Sequence, residues 1–417
     1  MAAQTESAVI ALELERVRTK VPVMFDREGK FYSSIDKKQV EVISNRQMRI
    51  PLNLRPGGKS GFFNPGGGDL GRGSGPVYDK AVLSPLSLKH AMEYQTLVEW
   101  VTDDKRKAVL NSVQKMLADG MKELRRYCDA MAVGGGDGVI GTIGTVTSQT
   151  DFTLDDSFGA KLVRFNQDIN IYSSDLLTRR TTGGEKEITT HDLALKRIVI
   201  DSAPVGTVVA GDKIVASGLS ATPPVGIKGV LYHHDSASTG TWLGFDRSTT
   251  PEIRANRVNA NGSPFSLPLA RLAVNKAADR VGEDQVGKCT AWMHPNQADA
   301  YEQLGQLVQQ IQSSGAQKGT LDRYFGSAMV MAGCPVKTSF NWHRKRIDFI
   351  DANYWGRGEL KALGYHEVGG RRLFEVRGAS GGVAASTLVY LVGSFDLFVD
   401  NPAGCSYIDN LALVSGY

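Results

Sequence analysis

The sequence predicts an α+β fold in which a long β hairpin and a long helix precede a mixed α/β region. Three observations predict it. A glycine-rich segment at 55–76 separates two stretches in which apolar and polar residues alternate, as they do in half-buried strands. Apolar residues then recur at helical spacing over about 103–133, and short β-like runs between turns begin at 152.

The segment at 55–76 contains nine glycines and three prolines in 22 residues and forms the tip of the predicted hairpin. The alternating apolar positions around it are Met48, Ile50, Leu52 and Leu54 before the tip, and Leu86, Leu88 and Met92 after it. A two-stranded ribbon with such a tip cannot bury enough apolar surface to be stable alone. We therefore interpret the hairpin as an arm that needs a partner surface and reaches out to a neighbour, with a return strand at 82–92.

Five side chains of the tip are the candidates for this contact: Arg55, Lys59, Phe62, Phe63 and Arg72. The three cationic side chains can pair with acidic groups of an adjacent subunit. Each exposed pair contributes on the order of 0–1 kcal/mol, so burial of apolar strand residues must dominate the contact.

A helix is predicted from about 103 to 133, directly after the hairpin. Thr102 or Asp103 can cap its first turn, where the aspartates also face the positive end of the helix dipole. Three consecutive glycines, Gly134–Gly136, are a strong stop signal. At the standard rise per residue the helix is a rod of roughly 45 Å.

The remaining chain predicts a small β subdomain followed by mixed structure and a strand-rich end. The β-like runs of the subdomain are 161–172, 195–200, 205–209 and 213–217. The mixed region contains a helix at 267–281, a strand at 288–293 and a helix at 295–311. The later strands are 334–340, 346–350, 371–376 and the paired runs 387–392 and 395–399.

Composition places the chain among ordinary globular proteins, because 41% of its 417 residues are hydrophobic and 22% are charged. This length supports two or three cores. The net charge of +4 is small but uneven: residues 335–377 hold nine Lys or Arg against five Asp or Glu, and 378–417 hold three Asp and no basic residue. A general nucleic-acid binder would show a stronger basic bias.

The four cysteines lie far apart and form no C-x-x-C pair, so we expect neither a zinc knuckle nor a disulfide framework, and a reducing compartment fits best. Glu13, Glu15 and Arg16 interrupt the only apolar stretch near the N-terminus, which argues against a secretory signal. The longest uncharged apolar run, about 383–395, is too short to span a bilayer, so we expect no membrane segment.

Several short motifs resemble ligand sites but have the wrong context. Gly58-Lys59-Ser60 opens no helix, and the G-x-G-x-x-G strings at 66–71 and 136–141 do not join a strand to a helix. His233-His234-Asp235 needs a further ligand from elsewhere, and we interpret it as a turn on the β subdomain. We expect no catalytic residue, cofactor or metal. An enzyme with an active site in the α/β region around His294 is the alternative of another class.

The order of the elements, with TDDKRKAVLNSVQKMLADGMKELRRYCDAM after VLSPLSLKHAMEYQ, resembles the major capsid protein of tailed bacteriophages, with its Hong Kong 97-type fold. The resemblance covers essentially the whole chain. Four further segments are similar to parts of this family: Gly244-Phe245-Asp246-Arg247, Ala291-Trp292-Met293-His294-Pro295, Gly333-Cys334-Pro335-Val336 and Asp400-Asn401-Pro402.

The resemblance implies a domain organisation. The implied units are an N-terminal arm (1–45), an extended loop (46–84), a peripheral domain (85–159) with a spine helix at about 103–133, an inserted β subdomain (160–226), an axial α/β domain (227–333) and a strand-rich C-terminal part (334–417) that returns to both larger domains.

The resemblance also implies a viral structural protein, not an enzyme, that assembles through pentamers and hexamers into an icosahedral shell around double-stranded DNA. The implied partners are further copies of itself, a portal protein, packaged DNA bound weakly and non-specifically, and a separate scaffolding protein, since only about 45 residues precede the hairpin. Arg125 and Arg126 are candidates to face the DNA, although a solvated helix face is the commoner role. The implied location is the virion capsid, assembled in the host cytoplasm. An encapsulin-like protein compartment is the alternative within the fold.

Overall fold

The computed structural model describes residues 30–38, 41–44, 47–62, 72–95, 106–285, 288–312, 330–377 and 383–414. The strands are β1 (Glu41–Ser44), β2 (Gln47–Arg55), β3 (Val77–Leu83), β4 (Leu86–Gln95), β5 (Val139–Ser148), β6 (Asp151–Leu154), β7 (Asp168–Tyr172), β8 (Lys186–Asp192), β9 (Arg197–Ile200), β10 (Lys213–Ala216), β11 (Thr241–Trp242), β12 (Phe245–Asp246), β13 (Asn256–Asn259), β14 (Thr290–Met293), β15 (Val330–Met331), β16 (Cys334–Thr338), β17 (Ile347–Ile350), β18 (Trp355–Tyr365), β19 (Leu373–Arg377), β20 (Val383–Val399) and β21 (Ser406–Asp409). The helices are α1 (Arg106–Val133), α2 (Val230–His233), α3 (Leu267–Val281) and α4 (Pro295–Gln312).

The long helix α1 ends where the glycine run predicts, and the N–H of Gly134 donates to the carbonyl of Met131 at 3.0 Å. Residues 103–105, its expected first turn, lie outside the described residues. At Gly120 a Cβ atom would collide with the side chain of Met92, so the absent side chain lets α1 lie directly on β4. Within the described ranges, no helix is both long enough and apolar enough to cross a membrane.

The hairpin consists of β2 and β3, which pair antiparallel with Met48 opposite Leu83 and Leu52 opposite Asp79. The prediction of a return strand at 82–92 is therefore corrected. Pro85 separates β3 from β4, and a proline has no N–H to donate to a ladder, so the pairing changes partner there. The alternation at 86–92 belongs to β4, which pairs with β20 rather than with the hairpin.

β20 is the centre of a four-stranded sheet, with β4 along one edge and β18 and β19 along the other. The apolar runs at 387–392 and 395–399, which the sequence predicted as paired strands, are parts of this one strand of 17 residues. Gly393 and Ser394 do not form a turn because both keep ladder partners, Leu88 and Ser87 of β4.

Six strands form a closed barrel with the order β10-β5-β6-β9-β8-β7. Its interior is filled by buried branched and aromatic side chains, including Ile140, Phe152, Ile198 and Ile214. The barrel begins at β5, before the expected boundary at 160, because β5 pairs with both β6 and β10. Residues 205–209, a predicted β-like run, form no strand; the N–H of Gly206 donates to the carbonyl of Arg180.

A six-stranded sheet with order β13-β21-β17-β14-β16-β15 forms the α/β part of the body. The pairs β13–β21 and β14–β16 are parallel and the other pairs are antiparallel. Small side chains of α3, namely Ala270, Ala273 and Ala277, are buried. Helices α3 and α4 begin at the predicted positions, and β21 brings the C-terminal part of the chain back into this sheet.

Phe31, from the described part of the N-terminal arm, fills a cage of three tryptophan rings. Its ring centroid lies 5.2 Å from Trp292, 5.1 Å from Trp342 and 5.7 Å from Trp355, all edge to face. The next residue donates its backbone N–H to buried Asp129 of α1 at 2.8 Å. The arm therefore connects α1, the six-stranded sheet and β18. Residues 1–29 of the predicted arm lie outside the described residues.

The prediction that His233 and His234 form a turn on the β subdomain is corrected, because both are fully buried at the end of α2. Trp242 donates its indole N–H to Nδ1 of His233 at 3.0 Å, and Nε2 of His233 lies 3.0 Å from the carbonyl of Leu397. Burial lowers the pKa of His233 to about 3, so it is a neutral core residue. No group of three potential metal ligands occurs among the described residues.

Asp348 of β17 is the centre of a buried polar network beside the tryptophan cage. It accepts hydrogen bonds from Arg346 at 2.8 Å and from the indole of Trp342 at 2.9 Å, and it lies 2.9 Å from Nδ1 of His234. Burial alone raises the pKa of this carboxyl, but Arg346 and His234 together outweigh burial and lower the pKa to about 2. Asp348 is therefore an ionised, fully paired group.

We predict that Phe31→Ala lowers the free energy of unfolding by about 3–5 kcal/mol, because it leaves a cavity between three rings that packing holds in place. Urea denaturation monitored by tryptophan fluorescence measures this change. Phe62→Ala is the matched control, since Phe62 is fully exposed. Equal stability of the two variants would contradict the anchoring role of Phe31.

We predict that Asp348→Asn lowers the free energy of unfolding at pH 7 by about 3–5 kcal/mol, because Arg346 is left buried without its counter-charge. The folded-state pKa of Asp348, about 2, lies below its ordinary 3.8. The stabilisation by its charge is therefore complete above pH 3.8 and is lost as the pH falls towards 2. Urea titrations between pH 2 and 7 test this, with exposed Asp79→Asn as the control. A variant as stable as this control at pH 7 would contradict the network's role.

Candidate assembly interface

The base of the hairpin lies on the body of its own chain. The apolar cluster between them consists of Met48, Ile50, Leu52, Ala81 and Leu83 from the hairpin and Trp242, Leu243, Phe245, Ile253 and Phe398 from the body. The N–H of Val82 also donates to the carbonyl of Leu243 at 2.9 Å. The segment Gly244-Phe245-Asp246-Arg247, which the sequence singled out, thus belongs to the support on which the hairpin rests.

Arg55, a predicted contact with a neighbouring subunit, is paired within its own chain. Its Nε donates to Oε1 of Glu252 at 2.8 Å, and this hydrogen bond lowers the pKa of Glu252. Glu252 belongs to the short 3₁₀ turn at Pro251–Ile253, which packs beneath the hairpin. Nothing in the spacing of residues 55 and 252 could indicate this pair. Since the Arg55 side chain is half exposed, solvent screens this contact and it contributes little to stability.

The outer end of the hairpin is exposed. Residues Val77–Lys80 of β3 are all accessible, and Phe62 is fully exposed beyond them. Lys59 and Arg72 are also exposed, whereas Phe63 lies outside the described residues. The end therefore presents apolar side chains, Phe62, Val77 and Tyr78, together with two cations.

Two glycines shape the described part of the tip. Gly58 has a φ of +96°, a backbone conformation that residues with a side chain rarely adopt. Its N–H donates to the carbonyl of Ser74 at 2.6 Å. At Gly57 a Cβ would lie 2.6 Å from the nitrogen of Pro76, which is closer than real atoms approach. These contacts hold the two sides of the tip together after the β2–β3 ladder ends.

The two arginines proposed to face DNA lie in different environments. Arg125 is exposed on α1. Arg126 is only 2% exposed, and its guanidinium donates to Glu123 through Nε at 2.9 Å, so it cannot contact a polyanion and its prediction is corrected. The spacing of Glu123 and Arg126, three residues apart on a helix, was the sequence signal for this pair.

His294, the centre of the alternative active site, lies at the start of α4 and is 4% exposed. Its Nδ1 accepts the backbone N–H of Asn296 at 3.1 Å, and its ring meets Phe340 edge to face. Burial, with nearby Arg344 and Lys161, lowers its pKa to about 4. His294 is therefore a neutral residue that accepts a hydrogen bond from a backbone N–H in the first turn of α4.

No family model matches the sequence, and no curated protein matches it. Among solved structures, a chain of the cyanophage A-1(L) capsid asymmetric unit is similar with a TM-score of 0.56 at 12% identity, covering 94% of this chain and 96% of that chain. A capsid chain of the empty GTA particle has a TM-score of 0.49 at 11% identity, covering 95% of this chain and 94% of that chain. A capsid chain of the native GTA particle has a TM-score of 0.45 at 12% identity, covering 98% of this chain and 100% of that chain. The likeness to the cyanophage capsid chain, together with the hairpin, long helix and two sheets described above, confirms that this chain has the Hong Kong 97-type capsid fold.

Proposed function

We propose that this protein is a major capsid subunit that assembles through pentamers and hexamers into an icosahedral shell around double-stranded DNA. One observation carries the proposal: the hairpin is fixed to its own body at the base and exposed at its outer end. In a chain with a capsid fold, such an end is available for a second copy. A contact between the tip of one copy and the body of the next is heterologous, and such contacts form a ring when the rotation between copies closes.

The chemistry of the outer end favours contact with protein. Phe62 and Tyr78 are large side chains that solvent surrounds in the single chain. Burying one such side chain contributes about 1.5–3 kcal/mol, whereas an exposed ion pair of Lys59 or Arg72 contributes up to about 1 kcal/mol. The apolar residues therefore supply most of the proposed affinity, and the cations select the orientation of the neighbour.

The proposed domains follow the sheets. In this proposal α1 and the four-stranded sheet form the peripheral domain, the six-stranded sheet with α3 and α4 forms the axial domain, and the barrel over 139–216 is the insertion. Residues 1–45 and 46–84 remain the proposed arm and extended loop.

The proposed partners are a separate scaffolding protein, a portal protein and packaged DNA, with Arg125 as the remaining candidate for weak DNA contact. The proposed location is the virion capsid, after assembly in the host cytoplasm. An encapsulin-like compartment would share the hairpin contact but would lack the scaffolding and portal partners. The buried, neutral state of His294 favours a structural role over the enzyme alternative.

We predict that replacing residues 57–75 by a short glycine-serine turn leaves the monomer folded but prevents shell closure, because the cluster at the hairpin base is untouched. Circular dichroism and thermal melting report the fold. Sedimentation velocity and negative-stain microscopy, with and without co-expressed scaffolding proteins, report assembly. Unfolding of the shortened monomer would count against a separate contact arm, and normal shells would count against the proposed interface.

We also predict that Phe62→Ala raises the protein concentration required for assembly by about 10- to 100-fold, the equivalent of losing one buried aromatic side chain per contact. Phe165→Ala is the matched control, because Phe165 is also exposed, at 60%, but lies on the barrel. Light scattering across a concentration series measures the onset of assembly. The same shift in both variants would place the contact outside the tip.

A further inference from the structure

Cys289 and Cys334 face each other across two neighbouring strands. β14 and β16 are parallel with Ala291 opposite Val336, and two residues earlier the same register brings Cys289 opposite Cys334. Their Cα atoms lie 5.4 Å apart, within the range that a disulfide spans, and their sulfur atoms face each other. The expectation of no disulfide framework did not anticipate this pair, because the sheet brings together residues 45 positions apart.

The surroundings of the four cysteines distinguish this pair from the others. Cys334 is fully buried and Cys289 is 8% exposed, both in the apolar cluster between α3 and the six-stranded sheet. Cys128 and Cys405 are free, fully buried and part of a different cluster. Burial raises the pKa of both free thiols, that of Cys405 to about 12, so little thiolate forms there.

We propose that Cys289 and Cys334 form a redox-responsive staple in the six-stranded sheet: two thiols during synthesis in a reducing compartment, and a disulfide once the particle meets an oxidising medium. The assignment of these two environments rests on the proposed function. The reaction between the two sulfur atoms rests only on the register of β14 and β16.

The oxidant is a small-molecule disulfide such as glutathione disulfide. The thiolate of Cys289, the more accessible sulfur, attacks one glutathione sulfur and releases a glutathione thiolate. The thiolate of Cys334 then attacks the Cys289 sulfur of this mixed disulfide and releases the second glutathione. Two cysteine thiols are oxidised, one glutathione disulfide is reduced to two thiols, and the cysteine protons pass to the released thiolates. Because both sulfurs are largely buried, a local opening of the strand ends precedes the first step.

The staple closes a loop that contains β14, α4 and β15, and joins the two ends of this loop across neighbouring strands. A closed loop of this length reduces the freedom of the unfolded chain considerably. We expect the oxidised protein to melt at a temperature higher by roughly 4 °C or more. Closing the disulfide requires no change in the register of β14 and β16, because the two Cα atoms already lie at a distance that a disulfide spans.

The test uses the full-length, unassembled protein, reduced with a phosphine, desalted and incubated with glutathione disulfide. Thiols are then counted with Ellman's reagent after denaturation, and the cross-link is located by non-reducing peptide mapping. We expect the count to fall from four to two, a single 289–334 cross-link, and an increase in melting temperature that a phosphine reverses.

Cys128→Ser is the matched control and should still lose two thiols, whereas Cys289→Ser and Cys334→Ser should form no intramolecular disulfide and show no oxidant-dependent increase in melting temperature. Four remaining thiols, a cross-link to Cys128 or Cys405, or equal melting temperatures of the two redox forms would overturn the proposal. Sedimentation of the same samples tests assembly separately: failure to form shells would count against the proposed function and leave the staple intact.

Discussion

The packing of the body depends on burying aromatic rings and charges together at one junction. Trp292 of the six-stranded sheet, Trp355 of the four-stranded sheet and the loop residue Trp342 surround Phe31. Trp342 also donates to Asp348. Because the network around Asp348 is ionised and paired, the rings above it are held in one orientation, which a purely apolar contact would not impose. The two sheets and α1 keep their relative positions through this junction.

Local signals were sufficient to predict the elements whose residues are neighbours in sequence. Periodicity and stop signals located α1, α3 and the first strand of the hairpin, and glycine content located its exposed end. Pairing between distant residues has no local signal, so the partner of β4, the continuity of β20 and the contact between Cys289 and Cys334 could not be predicted. The alternation at 86–92 was interpreted correctly as a strand, but the prediction assigned it the wrong partner because only tertiary pairing decides that.

In the candidate interface too, exposure could be predicted from the sequence, whereas the pairing of charged residues could not. The exposure of Phe62 and Arg72 follows from composition, since a tip rich in glycine and proline has little to pack against. The pairing of Arg55 with Glu252 depends on a turn far along the chain. The burial of Arg126 depends on how α1 packs, although Glu123 one turn earlier offered a partner. For charged residues near an interface, a sequence therefore indicates the available chemistry better than it identifies the partner.

The connection from the hairpin into β4 has a mechanical consequence. β4 follows β3 after two residues and is joined to β20 by ten consecutive residue pairs, from Leu86 opposite Phe395 to Gln95 opposite Ser386. Tension along β4 loads these rungs simultaneously, in shear, whereas a pull across the strand would break them one after another. Because β20 is itself bonded to β18 on its other edge, the load passes into the middle of a sheet. In a shell under outward pressure, the hairpin would thus be attached where the strands of the subunit are hardest to separate.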